Sequence, residues 1–131
     1  MDSPRPCPVV FDLDGTLIDS VPDIHACVTA VLRENRIAPL PVDRVRSFVG
    51  CGVELLWSRI IAARQLDPAD RPALIAAFMA RYHDATALTR LYPGAREALD
   101  RLAQLGHPLG ICTNKPLAPT RNILSHFGME A

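Results

Sequence analysis

The chain has 131 residues, 49% of them hydrophobic and 21% charged, so it can bury a core and does not resemble a disordered segment. Lys plus Arg and Asp plus Glu each number 14, which leaves no net charge to attract nucleic acid or an anionic membrane. No apolar run approaches the ~18 residues that span a bilayer, and the four cysteines form no C-x-x-C pair. We expect a soluble, cytoplasmic protein without nucleic-acid or membrane partners. The sequence carries no signal for an oligomeric state.

The first predicted element is a buried strand within residues 7–13, CPVVFDL, which ends in an Asp-Gly turn. Ser20 stands three residues before Asp23, a variant of the capping box, and apolar residues then recur at helical spacing. This pattern predicts a helix over residues 21–35.

Residues 20–85 are expected to be helical throughout, because no strand pattern occurs in them. One periodic stretch covers residues 42–49, stops at Gly50-Cys51-Gly52 and resumes over residues 53–61. A further helical pattern covers residues 74–82. The glycines predict an elbow between two helices.

The pattern changes after a turn at residues 91–94, where a helix is predicted over 95–105, a strand over 108–112 and a last helix over 118–127. The order strand, helical block, helix, strand, helix predicts a parallel α/β unit with a helical insertion after its first strand. Two strands do not make a stable parallel sheet with helices on both faces, so the core looks incomplete.

Two carboxylates, Asp12 and Asp14, follow the first predicted strand at its carboxyl end, where open α/β sheets bind their ligands. Both can share one site where the strand bends, which Gly15 permits. Their mutual repulsion is ordinarily offset by a divalent cation, and few hard oxygen ligands favour Mg²⁺. The alternative is a plain Asp-Gly turn after a buried strand.

The run DLDGTLIDS resembles the first signature of the haloacid-dehalogenase superfamily, D-x-D-G-T-[LV]. This resemblance implies that Asp12 is the nucleophile that forms an aspartyl-phosphate. It implies that Asp14 is the general acid and base. Both would contact Mg²⁺, Asp12 through its carboxylate and Asp14 through its backbone carbonyl.

The second signature of that superfamily is a Ser or Thr after the second core strand, and Thr113 in GICTNK stands at that place. The resemblance implies that Thr113 donates a hydrogen bond to the transferring phosphoryl group and that Asn114 and Lys115 lie beside the phosphate. The run T-N-K-P resembles the phosphoglycolate phosphatase branch. A strand end or helix cap remains the alternative for Thr113, and a solvated loop side chain for Lys115.

The resemblance implies a Rossmann-like core formed by residues 1–19 and 86–131, with a helical cap domain formed by residues 20–85. The third signature, a Lys, and the fourth, an acidic pair, are expected beyond residue 131. The implied function is magnesium-dependent hydrolysis of a small phosphorylated metabolite, with 2-phosphoglycolate as the leading substrate. The alternatives are a pyrophosphatase, a sugar phosphatase, a phosphomutase or a truncated phosphate-binding domain without turnover.

Other residues give weaker indications of a role in substrate binding or catalysis. The 50–52 loop faces substrate in such caps or is only an elbow. Three arginines are candidates for binding a substrate carboxylate, although a solvated helix face explains each of them: Arg46, Arg59 and Arg81. Cys51 and Cys112 are interpreted as small buried hydrophobic residues. The four histidines show no metal-ligand spacing.

Overall fold

The computed structural model describes residues 5–129 as an α/β protein. Its regular elements are β1 (Val9–Phe11), β2 (Ile18–Asp19), α1 (Val21–Glu34), α2 (Val42–Arg46), α3 (Val53–Arg64), a 3₁₀ turn (Pro68–Asp70), α4 (Arg71–Tyr82), β3 (Arg90–Leu91), α5 (Ala95–Gln104), β4 (Leu109–Ile111) and α6 (Leu117–His126).

The described residues divide into two compact units. The first comprises residues 5–19 and 90–113, and the second comprises residues 20–89 and 114–129. The domain boundaries expected from the sequence stay a prediction.

A parallel pair of strands organises the first unit. β1 pairs with β4 in register, Val9 opposite Leu109 and Phe11 opposite Ile111, and α5 leads into β4. This arrangement confirms the predicted α/β class, with helical residues inserted after the first strand. β1 is shorter than the predicted strand, because Pro8 has no N–H for a ladder and the first bond is from Val9 N to Pro108 O at 2.9 Å.

The sequence did not predict β2 and β3. Ile18 pairs with Leu91 and Asp19 with Arg90 in an antiparallel ladder. Two-residue strands cannot show the alternation by which strands are recognised. The turn that was expected at residues 91–94 therefore begins with a strand, and Gly94, at φ 84°, stands at the start of α5.

The second unit contains the main hydrophobic core. α1 packs against α2 and α4, and α3 packs against α4. Trp57 and Phe78 are fully buried and meet edge to face with ring centroids 5.8 Å apart. Each large side chain buried here contributes about 1.5–3 kcal/mol of transfer free energy. Packing of the amphipathic helices, rather than helix propensity, therefore stabilises this unit.

Two predictions for the helical residues need correction. Ser20 precedes α1 but makes no side-chain cap hydrogen bond, and the carboxylate of Asp23 binds residues 88 and 89. α2 ends at Arg46 rather than at residue 49. The glycine elbow is present, with φ of 124° at Gly50 and 90° at Gly52.

The interpretation of Cys51 and Cys112 as buried residues is wrong, since both are exposed. Cys51 lies in the loop between α2 and α3, and Cys112 follows the end of β4, so neither is on the packed face of an element. Within residues 5–129 no helix is both long enough and apolar enough to cross a membrane.

Candidate functional site

The carboxyl ends of β1 and β4 meet at one edge of the first unit's parallel sheet. β1 ends at Phe11 and β4 at Ile111, and Cys112 N donates to Phe11 O at 2.9 Å. Asp12 and Thr113 therefore leave neighbouring strands at the same edge, which is where ligands of α/β sheets bind.

Asp12 and Asp14 flank a fully buried leucine. Leu13 is completely inaccessible, whereas Asp12 is exposed and Asp14 is half-buried. Leu13 anchors the backbone in the core while its neighbours remain accessible. The carboxylate of Asp12 is also oriented locally, because Leu13 N donates to its Oδ1 at 2.7 Å.

A tight turn follows the two carboxylates. Leu13 O accepts hydrogen bonds from Leu17 N at 3.0 Å and from Ile18 N at 3.2 Å, and Gly15 N donates to Ile18 O at 2.9 Å. Gly15 has a φ of 79°, a conformation that most residues avoid. Leu17 and Ile18 are buried. The turn thus restrains the backbone of Asp14.

The donor set around Asp12 and Asp14 suits a hard cation. Mg²⁺ typically takes one or two carboxylates, retains several waters and meets a substrate phosphate, so this pair meets its minimum protein requirement. Within residues 5–129 no three His, Cys, Asp or Glu side chains gather into a metal-binding group. The described residues therefore fit Mg²⁺ as a partial ligand set.

Asn114 and Lys115, the other predicted binding residues, belong to the second unit. Asn114 Nδ2 donates to Gly50 O at 3.2 Å. Lys115 Nζ donates to the phenol oxygen of Tyr82 and lies 4.2 Å from the centroid of that ring. Sequence reasoning missed Tyr82, whose helical spacing indicates only a packing role.

The second unit also contains a pocket of about 420 Å³. It is lined by Cys51, Gly52, Val53, Glu54, Ile75, Met79, Asn114 and Pro116. The predicted 50–52 loop thus borders a cavity together with one predicted binding residue, Asn114. The rest of the wall is largely apolar.

Two of the three candidate arginines make contacts that hold the helices together. Arg59 Nη1 donates to Phe48 O at 3.3 Å, and Arg81 forms an ion pair with Glu34. Arg46 is exposed on α2. The contacts of Arg59 and Arg81 favour the structural interpretation over binding of a substrate carboxylate.

Cys27 is buried beside charged residues of the second unit. Burial, followed by the negative charge of Asp23, raises the pKa of its thiol to about 11. The thiol is therefore protonated at neutral pH and is not a nucleophile.

Comparisons with known proteins agree with this geometry. The family model described as "Haloacid dehalogenase-like hydrolase" matches residues 9–131. Among curated proteins, the phosphoglycolate phosphatase of Cereibacter sphaeroides strain ATCC 17029 is 48% identical over 124 residues, covering 92% of this chain and 57% of that protein. The phosphoglycolate phosphatase of Rhodobacter capsulatus is 42% identical, covering 92% of this chain and 56% of its own length.

The fold is also found in solved structures. A predicted phosphoglycolate phosphatase from Haemophilus somnus 129PT superposes with a TM-score of 0.86 at 27% identity, covering 95% of this chain and 58% of that one. The chain thus spans a little over half the length of the proteins it matches. The family model nevertheless spans residues 9–131, which is nearly the whole chain and includes both signature positions. This chain belongs to the haloacid dehalogenase-like hydrolase family.

Proposed function

We propose that the protein containing this chain is a magnesium-dependent phosphatase that hydrolyses a small phosphomonoester through an aspartyl-phosphate on Asp12. The observation that carries the proposal is the common sheet edge at which Asp12, Asp14 and Thr113 emerge after β1 and β4. A nucleophile, an acid and a hydrogen-bond donor to the phosphoryl group are the groups that this reaction requires.

In the first step, a carboxylate oxygen of Asp12 attacks phosphorus and the ester P–O bond breaks. Oδ1 already accepts a hydrogen bond from Leu13 N, which leaves Oδ2 to attack. The carboxyl group of Asp14 gives its proton to the departing alkoxide oxygen. Thr113 donates a hydrogen bond to a phosphoryl oxygen as charge develops there.

In the second step, Asp14 takes a proton from water, and the resulting hydroxide attacks phosphorus. The bond between phosphorus and the Asp12 oxygen breaks, which releases phosphate and regenerates the carboxylate of Asp12 and the protonated carboxyl group of Asp14. Bound Mg²⁺ supplies positive charge that offsets the two carboxylates and the substrate. We further propose that Asn114 and Lys115, which directly follow Thr113 in the chain, contact the substrate.

We propose 2-phosphoglycolate as the substrate, with glycolate and phosphate as products. Support comes from the names of the curated relatives, which are 42–48% identical to this chain, and from the T-N-K-P run. A cytoplasmic location is proposed with it, because Cys7, Cys27, Cys51 and Cys112 are all free thiols.

The test is phosphate release by the full-length protein in Mg²⁺ from a panel of 2-phosphoglycolate, pyrophosphate, hexose phosphates and p-nitrophenyl phosphate. We expect the highest kcat/KM for 2-phosphoglycolate. Asp12→Asn should reduce kcat by about 10³-fold or more, whereas Asp100→Asn, on the exposed side of α5, should leave it unchanged. A higher kcat/KM for pyrophosphate or a sugar phosphate would reassign the substrate, and equal activity of Asp12→Asn would reject the nucleophile.

A further inference from the structure

The single lysine of the chain contacts a tyrosine of the helical unit. Lys115 Nζ donates a hydrogen bond to Tyr82 Oη and lies 4.2 Å from the centroid of the same ring. The ring face attracts the cation through its quadrupole, and the phenol oxygen accepts a hydrogen bond from the ammonium. Two features of Tyr82 thus act on one ammonium group.

Tyr82 is itself fixed by the aromatic core. Its ring lies 4.8 Å from that of Phe78, which in turn packs edge to face on the fully buried Trp57. Tyr82 is only 4% exposed and is the last residue of α4. Its phenol oxygen is therefore a fixed acceptor rather than a mobile surface group.

The use of lysine at position 115 stands out against the composition. Thirteen of the fourteen basic residues are arginine, and Lys115 is the only lysine. Every other Lys or Arg position of the chain therefore carries a guanidinium group. A compact ammonium on a flexible stem has a different chemistry, and its position must be restrained if it is to meet an anion in one geometry.

A separate contact holds the following helix, so the position of the backbone does not depend on Tyr82 alone. Asn122 Nδ2, on α6, donates to the backbone oxygen of His83, just after α4. Removal of the phenol oxygen would therefore change the ammonium of Lys115 more than the path of the chain.

We propose that Tyr82 is a positioning residue that holds the Lys115 ammonium ready for an anionic phosphate. The inference depends on the proposed function, in which Lys115 contacts the substrate. Restraint of the ammonium by Tyr82 occurs on folding, so less side-chain freedom is lost when phosphate binds. Tyr82 then affects affinity more than the chemical step.

The experiment measures kcat, KM and the Kd for inorganic phosphate for the full-length protein and its variants. Tyr82→Phe retains the ring and removes only the oxygen, and we expect a roughly 3- to 10-fold rise in KM and Kd with kcat within about twofold. Lys115→Met should raise both constants by about 10-fold or more. Tyr92→Phe, the same change at the other tyrosine, is the matched control and should change neither.

The double variant separates positioning from packing. If Tyr82 acts through Lys115, Tyr82→Phe should have no further effect on KM or Kd in the Lys115→Met background. A Tyr82→Phe effect that persists undiminished there would overturn the inference, as would unchanged constants in Tyr82→Phe alone. A wild-type protein without phosphatase activity would remove the proposed function, while the phosphate Kd series would still decide the role of Tyr82.

A spectroscopic measurement does not require Tyr82→Phe to fold. The Nζ signal of Lys115 in ¹⁵N-lysine-labelled wild-type protein is assigned by its absence in Lys115→Met. We expect restricted motion and slowed hydrogen exchange, as for a hydrogen-bonded ammonium. A freely rotating, rapidly exchanging signal would overturn the inference, whatever the activity.

Discussion

The carboxylate of Asp23 accepts a hydrogen bond from Thr89 Oγ1 at 2.6 Å, and both side chains are buried. Leu88 N adds bonds of 3.2 and 3.1 Å to the two carboxylate oxygens. The first turn of α1 is thereby joined to the residues that precede β3, some 65 positions later. A buried carboxylate without such donors would be strongly destabilising, so these bonds are a condition of its burial.

We expect Thr89→Val to lower the free energy of unfolding by about 1–3 kcal/mol, because valine has nearly the same shape but leaves the Asp23 oxygen without its closest donor. The measurement is urea unfolding monitored by circular dichroism. Thr86→Val, in the half-buried segment just before it, should change the free energy by no more than about 0.5 kcal/mol. Equal effects of the two changes would show that the hydrogen bond between Thr89 and Asp23 does not contribute specifically to stability.

Thr113→Val should lower kcat of the full-length protein by about 10²- to 10³-fold, because it removes a donor to the charge that develops on the phosphoryl group. Thr113→Ser keeps the hydroxyl and should retain most of the activity. Steady-state kinetics with 2-phosphoglycolate measures both. A serine variant as impaired as the valine variant would indicate that the methyl group, and therefore packing, is what matters at this position.

Removal of divalent metal should abolish turnover, since Asp12 and Asp14 repel each other and the anionic substrate. Activity is measured after exhaustive treatment with EDTA and again after Mg²⁺ is added in excess. We expect complete recovery. Undiminished turnover by the metal-free protein would count against the proposed use of the two carboxylates.

Cys27 should make the second unit sensitive to alkali. Burial raises the pKa of its thiol from 9.0 to about 11. The stabilising contribution of the protonated thiol to the free energy of unfolding is therefore complete below pH 9. Between pH 9 and 11 the unfolded chain loses this proton first, and the free energy of unfolding should fall by about 1 kcal/mol per pH unit.

Urea unfolding under reducing conditions at pH 8, 9 and 10 tests this, with Cys27→Ala for comparison. We expect Cys27→Ala to have a lower free energy of unfolding than the wild type at every pH. Its free energy of unfolding should fall less between pH 9 and 10, because it lacks the thiol that titrates there. Exposed Cys51 serves as the control, because Cys51→Ala should leave the pH dependence as it is in the wild type. Parallel curves for the wild type and Cys27→Ala would contradict the prediction.

The fold class was predictable because its signals are local. The apolar run before Asp12 and the later run before Thr113 each mark a buried strand, and glycines at positions 94 and 106 bracket α5. The two candidate carboxylates, Asp12 and Asp14, were predicted from local signals as well, since they adjoin a strand and a glycine within a few residues.

Contacts between distant residues were not predictable. Asp23 matched a local capping pattern after Ser20, but a donor 66 residues away, Thr89, takes its carboxylate instead. Tyr82 and Lys115, 33 residues apart, come together only when the helices pack. Side-chain spacing within one helix carries no information about either partner.

The most direct test of the central claim is chemical trapping of the intermediate. Full-length protein is mixed with excess 2-phosphoglycolate and Mg²⁺, quenched in acid within a single turnover and digested for peptide mass analysis. The account predicts one added phosphoryl group on Asp12, absent from Asp12→Asn and formed more slowly in Asp14→Asn, which lacks the acid for the first step. A phosphoryl group on another residue, or turnover without any phosphorylated peptide, would contradict it.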